Sequence, residues 1–107
     1  MPLTQDAKTT IVERLRRDPD LAKALLDEAA TLFLNGEPRT ARLMLRDLIE
    51  AVVGFETLAA NTGKPRSSLQ RMLSAAGNPS MDSLAAIFDV VRRKLGVDLA
   101  ARTVKAA

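Results

Sequence analysis

GFETLAANTGKPRSSLQRML, residues 54–73, is the stretch whose reading decides the fold. Its spacing predicts two short helices, Phe55 to Asn61 and Pro65 to Ser74, joined by a tight turn. Phe55 and Leu58 give the first helix an apolar side. Ala59 stands where the two helices would cross, and a larger side chain there would force them apart. Gly63 follows four residues later, where a sharp turn needs left-handed backbone that glycine adopts without a Cβ penalty. Pro65 suits the first turn of the next helix, where a missing N–H costs little. Leu69, Met72 and Leu73 recur at helical spacing and can pack back on the first helix.

That inner face leaves Arg66, Ser67, Gln70 and Arg71 on the outside. The outer face carries hydrogen-bonding groups and two positive charges, and the sequence has no acid from Asn61 to Met81. A helix of this kind fits a DNA major groove. Two short helices around a glycine turn also occur in all-α domains that never meet DNA. The conjunction of core spacing, an acid-free basic face and the Asn78-Pro79-Ser80 start of another helix favours nucleic acid.

Working outward, the 107 residues suffice for one domain with a single core. Aromatics are 3% of the chain, with no Trp or Tyr, so that core must be aliphatic. There is no Cys and no His, which excludes disulfides, thiol chemistry and Ser-His or Cys-His nucleophile pairs. Transition metals lose their two best ligands, so neither a metal nor a cofactor is expected. Residues 1–53 hold eight basic and nine acidic side chains, net −1; residues 54–107 hold eight and four, net +4. The positive excess thus falls in the half that contains the two-helix stretch, as phosphate binding requires. No apolar run approaches membrane-spanning length and no signal-peptide pattern opens the chain, so a cytoplasmic protein is expected.

In chain order, Thr4 can cap a helix from Gln5 to Arg17, with Ala7, Ile11 and Leu15 inward. Asp18-Pro19 restarts the helix with a capping side chain and a first-turn proline. This second helix reaches Leu34, with Leu21, Leu25, Ala29, Leu32 and Phe33 as its buried stripe. Asp20, Asp27 and Glu28 read as solvent-facing acids rather than an acid/base pair, and Asn35-Gly36 ends the helix. Pro38 starts a third helix running to Val53 or Gly54, with Ala41, Leu45, Leu48, Ile49 and Val52 inward. Leu43 and Met44 either widen the core or mark a subunit contact. Arg39, Arg42 and Arg46 share a polar side, where Asp47 and Glu50 can pair with them. After the turn at residues 74–80, Ser80 caps a last helix with Leu84, Ile87, Phe88, Val91 and Leu95 inward. Arg92, Arg93 and Lys94 suit its negative end, and Gly96 closes it. Val97 and Leu99 belong either to a short strand or to a tail. The expected fold class is therefore all-α: about six helices, with residues 1–37 as an N-terminal extension, 38–99 as the core and 100–107 as a tail.

The run GKPRSSLQRMLSAAGNPSMDSL, Gly63 to Leu84, resembles the C-terminal part of HigA-like antidote proteins of toxin–antitoxin (addiction) modules. More broadly it is similar to Cro/repressor-type helix-turn-helix regulators, over roughly Arg39 to Leu99. The turn Gly77-Asn78-Pro79-Ser80 is its most specific piece. The resemblance implies a repressor-like helix-turn-helix fold and binding of double-stranded operator DNA, usually as a homodimer and often at the module's own promoter. It also implies a toxin protein as partner. Its base-reading positions carry over to Arg66, Ser67 and Arg71, with Gln70 assisting, and its phosphate contacts to Lys64, Ser68, Ser74 and Asn78. Pro65 stands where many members of the group place Ser or Thr, so the second helix of the pair lacks a side-chain cap. The expectation is a DNA-binding transcriptional repressor, not an enzyme. The alternative is a helical interaction module that neutralises a toxin and has little DNA binding.

Overall fold

Asp18 and Pro19 set the first boundary of the computed structural model, which describes residues 3–107 and the side chains from Thr10 onward. Helix α1 (Leu3–Arg17) stops before Asp18, whose carboxylate accepts from the Leu21 N–H at 3.1 Å and opens α2 (Pro19–Leu34). Asn35 and Gly36 close α2, and α3 (Pro38–Leu48) follows. A π-helical turn, Ile49–Val53, leads into α4 (Phe55–Thr62), α5 (Arg66–Met72) and α6 (Met81–Leu95). The fold is all-α, with no strand among the described residues.

One aliphatic core joins every helix. Leu15 of α1, Ala22 and Leu26 of α2, Leu45 and Leu48 of α3, Leu58 of α4, Leu69 of α5 and Ile87 of α6 belong to a single buried cluster. Burying each leucine in it is worth about 2 kcal/mol. The N-terminal helices are therefore part of the core, not an appendage to it. Phe33 and Phe88 add an edge-to-face contact between α2 and α6, with ring centroids 5.7 Å apart.

Several expected details differ. Helix α1 already includes Leu3, so the backbone of Thr4 lies inside it rather than ahead of it; the expected Thr4 cap lies outside the described side chains. Its buried stripe runs through Val12 and Leu15, and Ile11 is 43% exposed. Leu15 is buried as expected and Val12 takes the place of Ile11, so the helix is turned by a fraction of the roughly 100° between neighbouring residues; Ala7 lies outside the described side chains. Helix α2 is turned in the same sense: Ala22, Leu26 and Ala29 are fully buried, while Leu21, Leu25, Leu32 and Phe33 are half-buried. Ala22 and Ala29 flank Leu26 in that stripe, and α2 packs extensively on α3, where Ala41 is also fully buried. The third helix does not stay α-helical to Val53. The Gly54 N–H reaches the Ile49 carbonyl at 2.6 Å, and Gly54 itself (φ 86°, ψ 141°) redirects the chain into α4. Val97 and Leu99 form no strand; they lie half-buried against the core in a segment without regular structure.

Candidate nucleic-acid interface

The α4 helix ends on Gly63, in left-handed backbone (φ 68°, ψ 18°), with its N–H on the Ala59 carbonyl at 2.9 Å. The Thr62 hydroxyl donates to the Leu58 carbonyl at 2.8 Å and satisfies another carbonyl of that last turn. Lys64 and Pro65 cross to α5. Pro65 is the residue before the helix (ψ 143°), not its first turn, and it supplies no side-chain cap. On the inner side of this region Leu69 and Leu73 are fully buried. On the outer side Arg66, Ser67 and Arg71 are exposed, and Lys64, Ser68 and Gln70 are half-buried. Burial thus fixes how the short helix is rotated and leaves the basic and hydroxyl side chains outward.

The far end of α5 is held by a residue expected elsewhere. Arg42 of α3 is buried, not on the polar side it was expected to share with Arg39 and Arg46. Its Nε donates to the Ser74 carbonyl at 3.1 Å and its Nη2 to the Ala75 carbonyl at 2.9 Å. A guanidinium presents two donors in a fixed fork, which suits a pair of carbonyls left open just past a helix end. The Ser74 hydroxyl donates to the Arg71 carbonyl at 2.8 Å and stops the helix short of Ser74. With its proton so committed, Ser74 cannot donate to a phosphate in this conformation. Asn78, beyond this turn, is exposed. Gly77 packs so closely under the helix end that a Cβ would overlap the Met72 carbonyl and come within 2.6 Å of the Arg71 carbonyl.

The charge pattern also departs from a linear reading. The stretch around α5 has no acid of its own, yet α4 brings Glu56 beside it, with Arg66 Nη1 and Glu56 Oε1 3.5 Å apart. Both side chains are largely exposed (56% and 86%), so the pair is weak and easily exchanged for another anion. The separation of ten residues hides this contact in the sequence; the crossing of the two helices makes it. Arg71 and Lys64 have no ion-pair partner among the described residues.

At the end of α6 the charges of Arg92 and Arg93 are taken up. Arg92 bonds Asp89 at 2.6 Å and Asp98 at 2.9 Å, and Arg93 reaches Asp89 at 3.1 Å. Desolvation alone would raise the Asp89 carboxyl. The hydrogen bonds and charges of Arg92 and Arg93 outweigh it and hold that carboxyl below its ordinary value. The Ser80 hydroxyl accepts from the Ser83 N–H at 3.1 Å and caps the start of α6 as expected.

The fold and this surface define an all-α chain with a two-helix unit whose outer face is basic and largely unpaired. Comparisons with protein-family models, curated proteins and solved structures found no match to the chain.

Proposed function

We propose that the protein is a sequence-specific DNA-binding transcriptional regulator that acts as a repressor, with α5 as its reading helix. One observation carries this reading: Leu69 and Leu73 are fully buried while Arg66, Ser67 and Arg71 face outward from a helix without an acid. Arg71 suits bidentate contact with guanine O6 and N7, worth about 1–3 kcal/mol of discrimination. Ser67 is short enough to let the helix approach the base edges, and Gln70 adds an amide that can read adenine. Arg66 joins them by exchanging its weak contact with Glu56. Lys64, Ser68 and Asn78 hold phosphates and orient the helix. A homodimer sets two such helices in successive major grooves, about 34 Å apart, and bound protein then obstructs the polymerase. The more particular setting, an autoregulating antitoxin with a toxin partner, rests only on the resemblance of the Gly63–Leu84 stretch.

Selection of bound fragments from a random DNA pool, joined to light scattering, tests this. The expected result is an enriched motif of two half-sites and a dimer on the selected DNA. Lys64→Ala should lower affinity for all sequences alike and reduce the salt slope by about one. A pool that enriches no motif, or a monomer both free and on DNA, contradicts the proposal.

A further inference from the structure

Glu56 and Arg66 meet across the crossing of α4 and α5, with Oε1 and Nη1 3.5 Å apart. From Thr57 to Met81 the chain has no acid, so Glu56 is the carboxylate that α4 brings to α5. Arg66 is its only ion-pair partner among the described residues, and the reverse also holds. Neither side chain belongs to the buried core. A first-turn acid suits the α4 dipole, but an acid at the exposed position of Thr57 beside it would serve that purpose equally. The dipole therefore does not explain why the acid faces Arg66. Lys64, Arg66 and Arg71 bring positive charge to this two-helix unit, and Glu56 cancels part of it.

We infer that Glu56 is a specificity-determining residue: it occupies Arg66 on non-cognate DNA and releases it only to a cognate base. The inference rests on the DNA reading proposed above and adds to it an acid that opposes indiscriminate binding. Non-specific affinity comes almost wholly from cations set on phosphates. A solvated phosphate offers Arg66 the same kind of partner that Glu56 already supplies, so exchange gains little there. A guanine edge offers O6 and N7 together, so exchange gains more. A charge that penalises wrong sites widens the gap between right and wrong as a better contact with the right one would. The pair is exposed and screened, which limits the effect to about two- to fivefold.

Glu56→Gln keeps the length of the side chain and removes its charge. Binding to the selected DNA site and to a scrambled duplex, each across a salt series, compares this variant with the natural chain. On the scrambled duplex affinity should rise about two- to fivefold and the salt slope should steepen by about one, because Arg66 is freed for a phosphate. On the selected site the slope should stay as it is, because Arg66 is on a base, and affinity should rise less. Glu56→Asp, which keeps the charge, should retain the natural discrimination, and the thermal midpoints of both variants should match that of the natural chain. Equal gains on the two duplexes, unchanged slopes on both, or a loss on the selected site, which would make Glu56 a reader or a support for Arg66, would each overturn the inference. If the natural chain selects no motif, the DNA reading fails and this inference with it. If it selects one and Glu56→Gln leaves the ratio of the two affinities unchanged, this inference alone fails.

Discussion

Arg71 and Arg92 each stand in the last turn of a helix, α5 for the first and α6 for the second, where a cation favours the helix dipole. There the likeness ends. Arg92 is bonded to Asp89 and to Asp98, and Arg93 beside it shares Asp89. These contacts fold the segment after Gly96 back along α6, with Val97 and Leu99 against the core. Arg71 has no acid on its own helix or on the loops that flank it. The two clusters look alike as strings of basic letters and differ in what the fold brings to them. A basic run signals a ligand only where the folded chain leaves it unneutralised.

The comparison breaks first if α5 is not fixed by burial. Leu69→Ala removes a fully buried side chain from the core and should cost about 2–5 kcal/mol in urea denaturation. A cost near zero would mean that the outward rotation of Arg66 and Arg71 is not enforced by packing. Arg42→Met should follow, with a loss of about 2–3 kcal/mol, because two charge-assisted hydrogen bonds to carbonyls are removed. Amide exchange at residues 73–77 should quicken more than elsewhere, which separates a local clamp from general destabilisation.

The smallest effect belongs to α6. Asp89 has its carboxyl held below the ordinary value of 3.8 in the folded chain. A depressed carboxylate adds stability that is fully present above that ordinary value and is lost as pH falls through the lowered one. The gap in thermal midpoint between the natural chain and Asp89→Asn should therefore be present at neutral pH and close in acid below 3.8. The Asp89 side chain is 41% accessible, so solvent screens the pair and the gap should be small at every pH. A gap that widens in acid would show that Asp89 is not the group being protonated.

Much of the fold was legible because its signals are local. Asp18-Pro19, Ser80, Gly63 and Gly96 act on backbone within a turn of themselves, and each is found in the expected role. Helix rotation was less legible, since Ile11 and Val12 are chemically alike and only tertiary packing chooses between them. The π turn was hidden because Ile49 to Val53 reads as ordinary helix. The exposure of Arg66, Ser67 and Arg71 was legible, and the supports of the candidate site were not. Arg42 meets Ser74 from 32 positions away and Glu56 meets Arg66 across a helix crossing, contacts that no spacing rule reports. A buried-position signal was present for Arg42, which directly follows the core residue Ala41 and lies three before Leu45, on the edge of the apolar stripe.

The central claim is that α5 reads bases while Arg92 and Arg93 of α6 serve the fold. Fluorescence anisotropy on the selected DNA site and on a scrambled duplex tests it, with Arg71→Ala set against Arg93→Ala. Arg71→Ala should lose about 1–3 kcal/mol on the selected site, change little on the scrambled one, and relax preference at one base position. Arg93→Ala should leave that discrimination intact. Equal losses on both duplexes for Arg71→Ala, or a loss of discrimination for Arg93→Ala, would contradict the account.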